Sequence, residues 1–166
     1  MTANCLDIIT QITVEIHKAD NSKEKLGSGI LYTNRKLLGS VYVLTAKHCL
    51  SRLKVNEKVS FRVLNPEKKT YEYLTPVKQT ILLHPVDDAG IVVFNQRELA
   101  RVCPTIPSVF VVDKNVGFDE AVTKGFPMAS LNQTNEHGES SLVTLSMRYL
   151  QEITSEQAFQ LSTTDD

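Results

Sequence analysis

The 166-residue chain has no tryptophan, only three cysteines, and no excess of either charge: 18 Lys and Arg stand against 19 Asp and Glu, a formal net charge of −1. Each shortage excludes something. Phosphate binding needs several cations on one face, and no basic cluster here is longer than Lys68-Lys69, so no direct nucleic-acid partner is expected. No apolar run approaches the roughly 20 residues that cross a bilayer. The opening Met1-Thr2-Ala3-Asn4-Cys5-Leu6-Asp7 has neither the basic start nor the apolar stretch of a secretory signal. No membrane partner is therefore expected, and the expected compartment is the cytosol. Cys5, Cys49 and Cys103 are odd in number and far apart, which suits reduced thiols rather than a disulfide framework. Together with His17, His48, His84 and His137 they form no C-x-x-C, H-x-x-x-H or H-E-x-x-H spacing, so neither a metal nor another cofactor is expected.

What is present is β periodicity. Ile8, Thr10, Ile12, Val14 and Ile16 alternate with Gln11, Thr13 and Glu15, a period of two that predicts one half-buried strand through this stretch. Further strands are predicted at 29–32, 41–45, 59–64, 77–84 and 90–94. Turn formers such as Asn21-Ser22, Asn34, Gly39-Ser40 and Asn65-Pro66 separate them. Six short strands in succession point to a small closed or nearly closed antiparallel barrel. Residues 96–107, with Cys103-Pro104 and Ile106-Pro107, read as a linker. Strands are predicted to resume at 109–112, 121–124, 142–149 and 159–162, with a polar loop at 132–140. Helical segments are expected only at 46–53 and 155–158.

The strongest local signal is an apolar strand, Val41-Tyr42-Val43-Leu44, that runs straight into Thr45-Ala46-Lys47-His48-Cys49-Leu50. It places an imidazole at a strand end where a helical turn begins. With the upstream Gly27-Ser28-Gly29-Ile30-Leu31-Tyr32, this resembles the histidine motif of the trypsin-like, chymotrypsin-fold serine proteases. The segment His84-Pro85-Val86-Asp87-Asp88-Ala89-Gly90-Ile91 resembles the strand head that carries the triad aspartate of that family. Asp88 is the matching position. Asp87 is the alternative, because a register shift of one residue would turn it inward instead. Val122-Thr123-Lys124-Gly125-Phe126-Pro127 resembles the strand and turn that open the second barrel in bacterial and intracellular members.

The resemblance implies an all-β, trypsin-like double antiparallel β-barrel. Its first barrel spans 1–95 and carries the His and Asp, a linker spans 96–107, and the second barrel begins over 108–166. It implies a serine endopeptidase acting on protein or peptide substrates. In that chemistry His48 is the general base and Asp88 accepts its Nδ1–H, fixing the tautomer. The family's Cys after the histidine pairs with a Cys one strand earlier in secreted members. The stretch 29–36 holds none, so Cys49 is expected to be a free, buried thiol.

The nucleophile of that family sits in a Gly-x-Ser-Gly turn, and the sequence contains none. In the nearest lookalike, Gly138-Glu139-Ser140-Ser141, Ser140 follows Asp88 far sooner than the family's step of about ninety residues. Ser162 lacks flanking glycines. Two expectations stay open. The chain is an N-terminal portion of a protease, inactive alone, completed by a Ser-bearing C-terminal remainder and controlled by an attached sensor or regulatory subunit. Alternatively, it is a pseudo-protease or a peptide-binding β module that uses its sheet edges. An unfinished second barrel, with open strand edges, favours the first. Disulfide-free proteases of this type resemble effectors of bacterial antiviral defence.

Overall fold

The computed structural model describes residues 3–20, 22, 24–33, 39–105, 107, 120–126, 143–153 and 158–163. The strand expected at 109–112, the loop at 132–140, Ser140 and most of the helix expected at 155–158 lie outside them. The chain is predominantly antiparallel β. Seven strands, β1 (Thr13–Lys18), β2 (Lys25–Thr33), β3 (Ser40–Thr45), β4 (Val59–Asn65), β5 (Thr70–Leu74), β6 (Gln79–Leu83) and β7 (Gly90–Asn95), form one sheet in the order β5-β4-β1-β2-β3-β7-β6. A second sheet orders β8 (Glu120–Gly125), β9 (Val143–Ile153) and β10 (Ala158–Thr163) as β10-β9-β8. The helical segments are α1 (Ala3–Ile12), α2 (Lys47–Leu50) and α3 (Gln96–Leu99).

One face of the larger sheet carries the core: Val14, Ile16, Leu31, Val43, Phe61 and Phe94 are buried together with their neighbours. Phe61 of β4 stacks on Phe94 of β7, with centroids 5.4 Å apart. Three strands separate β4 from β7, and a flat sheet would hold them about 19 Å apart. The sheet is therefore strongly curled around its apolar face. Gly29 permits part of the tight packing, since a Cβ there would stand 2.6 Å from Val43 Cγ1 and 3.1 Å from Ile16 Cδ1.

The two sides of the curl meet through a side chain. β5 pairs with β4 only as far as Phe61, so the Val59 end of β4 is left open on that side. The Gln79 amide fills the gap: its oxygen accepts from the Val59 N–H and its nitrogen donates to the Val59 C=O, both at 3.0 Å. One amide thus supplies the donor and acceptor that a neighbouring strand would have offered. Lys58 Nζ adds a bond to the Val77 C=O at 2.7 Å.

Two expectations fail in the first strand. Residues 8–16 are not one strand, because α1 runs to Ile12 before β1 begins. Ile8, Ile9 and Ile12 satisfy helical spacing as well as alternation, and the Thr13 hydroxyl donates to the Ile9 C=O at 2.6 Å where the helix ends. Nor is β1 half-buried. Thr13 and Glu15 are each 1% exposed and His17 is 7% exposed, so both faces are covered. Phe126, at the end of β8, lies within cation–π reach of Lys25 and Arg62 on that second face. The sequence reading also passed over β5, and α3 begins inside the stretch expected to be linker, capped by the Asn95 side chain accepting from the Arg97 N–H at 2.8 Å.

Candidate functional site

β3 and β7 pair antiparallel from Ser40 opposite Asn95 to Thr45 opposite Gly90. The segment leaving β3 and the segment entering β7 therefore meet at one end of the sheet. After Thr45 the backbone stays extended at Ala46, then turns into α2. Cys49 and Leu50 are buried and hold that turn down, which leaves His48 on its outer side. Gly90 lets the turn come close, since a Cβ there would stand 2.9 Å from Leu50 Cδ1.

The Asp88 carboxylate takes two bonds from one residue. Oδ1 accepts from the His48 backbone N–H at 2.8 Å, and Oδ2 lies 2.6 Å from His48 Nδ1. With Asp88 ionised, Nδ1 carries the proton and Nε2 keeps its lone pair. The bond to the His48 ring, then the His48 backbone N–H, hold the Asp88 carboxyl below the ordinary carboxylate range, and the Lys47 N–H adds to them. Both side chains face solvent, at 72% exposure for His48 and 58% for Asp88.

Asp87 is engaged elsewhere. Its N–H donates to His84 Nδ1 at 2.8 Å, and its carboxylate stands 3.0 Å from the same nitrogen. The turn that carries both aspartates is closed by the His84 N–H on the Ala89 C=O at 2.8 Å and by Lys47 Nζ on the Pro85 C=O at 3.3 Å. Of the two candidates, the fold brings Asp88 to His48 and leaves Asp87 with His84.

Ser28 links this end of the sheet to the second sheet. Its C=O accepts from the Thr45 hydroxyl and its Oγ accepts from the Phe126 N–H, each at 2.6 Å. The Gly-Ser-Gly segment, the strand leading to His48 and the Gly125-Phe126 turn thus converge on one serine. Sequence reasoning gave Ser28 no role, and nothing in the local pattern distinguishes its hydroxyl. A second missed feature is the carboxylate of Glu15, which lies buried 3.0 Å from Arg62 Nη1, 3.1 Å from Lys25 Nζ and 3.3 Å from His17 Nε2.

Cys49 is free and buried, packed against Gly27, where any Cβ would collide with its sulfur. Cys103 is also free and buried, and burial pushes its thiol pKa up. Ser162 falls in β10, while His137 and Ser140 lie outside the described residues. Among the described residues, no group of three or more His, Cys, Asp or Glu side chains could hold a metal ion, and no helix is long and apolar enough to cross a membrane. No protein-family model matches the chain, and no curated protein matches it. Chemically, the arrangement offers an oriented, solvent-facing imidazole whose Nε2 can take a proton from a hydroxyl brought within hydrogen-bond reach.

Proposed function

We propose that the chain is the His- and Asp-bearing part of a trypsin-like serine endopeptidase. The curled seven-stranded sheet is its first barrel, and β8–β10 open its second. The observation that carries this reading is the double bond set of Asp88 on His48, which orients the ring and fixes its tautomer. His48 is the general base that takes the proton of a serine hydroxyl, and then the general acid that gives it to the leaving amine. Asp88 stabilises the imidazolium formed between these steps. The nucleophile comes from a Gly-x-Ser-Gly segment that these residues do not contain, and whose backbone N–H groups form the oxyanion hole. Hydrolysis then runs through an acyl-enzyme on that serine, with water as the second acceptor.

Residues 1–166 alone are expected to hydrolyse no casein and to resist labelling by a fluorophosphonate probe. The complete reading frame is expected to hydrolyse casein and to be labelled by the probe. In it, His48→Ala should lower kcat by roughly 10⁴- to 10⁶-fold with unchanged circular dichroism. Labelling of the 166-residue chain at Ser140, or cleavage that survives His48→Ala, would remove the proposed roles. A complete frame without a Gly-x-Ser-Gly segment would leave the pseudo-protease or peptide-binding module in its place.

A further inference from the structure

Seven large apolar side chains are strongly exposed on the described surface, and five of them, Val55, Val77, Leu82, Leu83 and Val86, lie in or beside β6. Such clustering is unlike the scattered apolar residues of an ordinary surface. β6 is also the last strand on its side of the sheet. Its register with β7 decides which backbone groups are left over. The His84 N–H donates to the Ala89 C=O, and the ladder continues through Leu83 opposite Gly90 and Ile81 opposite Val92. Bonded and non-bonded pairs alternate in an antiparallel ladder. With 84 and 89 bonded, 82 with 91 and 80 with 93 are bonded too, and Gln79, Ile81 and Leu83 direct their N–H and C=O outward. The Gln79 side chain secures one end of this edge to Val59. Ile81 and Leu83 have no strand beside them among the described residues.

Next to that edge is a cavity of about 610 Å³, walled on its apolar side by Leu50, Leu53, Val55, Ile81 and Leu83. Its rim holds Lys54, Lys58 and Glu57. Glu57 is already paired with Lys18 at 3.3 Å, and Lys58 bonds the Val77 C=O. Arg52 and Lys78 are exposed and adjoin Leu53 and Gln79 of the lining in the chain, while Glu98 accepts from the Val77 N–H at 2.6 Å, so around this edge four cations, Arg52, Lys54, Lys58 and Lys78, stand against the carboxylates of Glu57 and Glu98. The strand itself, Gln79-Thr80-Ile81-Leu82-Leu83, carries no charge. Edge strands are normally guarded by charge. At the opposite end of the sheet β5 carries Glu72, bonded to Lys68 at 2.8 Å, and fits that rule. β6 does not.

We propose that β6 is a docking edge for an extended acidic segment of a partner protein, which adds to the sheet as a further strand. Backbone bonds to Ile81 and Leu83 hold it, alternate aliphatic side chains enter the cavity, and its carboxylates meet Lys54, Lys78 and Arg52. The cavity shares its elements with the His48 and Asp88 pair: Leu50 in its wall lies on α2 with His48, and β6 runs into the turn that carries Asp88. The proposal stands without the protease reading.

A fluorescein-labelled peptide Asp-Glu-Val-Thr-Val-Thr-Val-Glu, titrated against the 166-residue chain by anisotropy, is expected to bind at least about tenfold more tightly than its counterpart with lysine at the three acidic positions. Bound peptide should slow hydrogen exchange at the Ile81 and Leu83 amides. Leu83→Pro removes an outward N–H while sparing the β7 ladder, and should abolish binding. Lys54→Glu with Lys78→Glu should weaken the acidic peptide about tenfold and strengthen the basic one. That double variant decides the matter if Leu83→Pro does not fold. Equal binding of the two peptides, protection at β5 instead of β6, or full affinity in Leu83→Pro would overturn the proposal. So would protection of the same amides that rises with protein concentration in the absence of peptide, which would give the edge to a second copy of this chain.

Discussion

At the scale of single residues, one carboxylate fixes both the backbone and the ring of His48. Asparagine at position 88 can still bond both groups, but only by turning its oxygen to one and its amide nitrogen to the other. With the nitrogen toward the ring, Nδ1 must become an acceptor and the proton moves to Nε2. Asp88→Asn is therefore expected to shift the imidazole ¹⁵N pattern from Nδ1–H to Nε2–H, and to cost the complete enzyme about 10⁴-fold in kcat. An unchanged tautomer would separate Asp88 from that role. The acid limb has a defined sign. The bonds from His48 lower the Asp88 carboxyl, so their stabilising contribution is full above the ordinary carboxylate range and is lost as pH falls through the lower folded-state value. The Asp88 carboxyl ¹³C shift should titrate below that range, and a midpoint inside it would contradict the bonding. The sequence pattern marked Asp88 through Asp-Ala-Gly-Ile but left Asp87 open. The choice is made by a backbone N–H, that of Asp87 on His84, which no residue spacing encodes.

At the scale of elements, most strands were visible from alternation because each has one face in the core. β2, β3, β4, β6 and β7 fall within a few residues of their expected positions. The failures have a common physical origin. Residues 8–12 satisfy two periodicities at once, and the tertiary surroundings chose the helix. β5 is short and follows the Pro66–Lys69 turn, with one edge unpaired among the described residues, so its pattern carries little weight. The closure by Gln79 was not legible at all, since glutamine at a strand start is unremarkable in sequence. Gln79→Ala removes a bond to the Pro76 C=O and the two bonds to Val59, a buried residue whose polar groups must then be satisfied otherwise. It should destabilise the chain by about 1–3 kcal/mol in urea unfolding, with the m-value little changed. A loss below about 0.5 kcal/mol would mean that water replaces the amide without penalty.

At the scale of the whole molecule, the Phe126 N–H on Ser28 Oγ and Lys124 Nζ on the Thr10 hydroxyl join the second sheet to the rest, and Phe126 closes over an ion cluster buried on the first sheet. Glu15 lies among Arg62, Lys25 and His17, Arg62 stacks 4.4 Å from the Tyr71 ring, and Phe126 packs on Tyr71 at 5.8 Å. Sequence alternation placed Glu15 on the polar face of a half-buried strand, whereas Phe126, at the end of β8, packs over its partners Lys25 and Arg62. Glu15→Ala removes the counter-charge from Arg62, a buried cation, and should cost about 3–5 kcal/mol. Because the pair is buried, that loss should be nearly insensitive to salt, and a loss that vanishes in high salt would place the pair at the surface. The seam at Val59 has another character. Among the described residues, neighbouring strands of the large sheet are held by backbone ladders, which open only by separating whole strands. This one is an amide on a rotatable stem. Swinging it aside breaks its two bonds to Val59, about 1–3 kcal/mol, and a longer one to the Pro76 C=O, against the roughly 5–15 kcal/mol that holds a domain folded. The curl therefore has a latch, and it can widen as an excursion of the native protein rather than as a step toward unfolding.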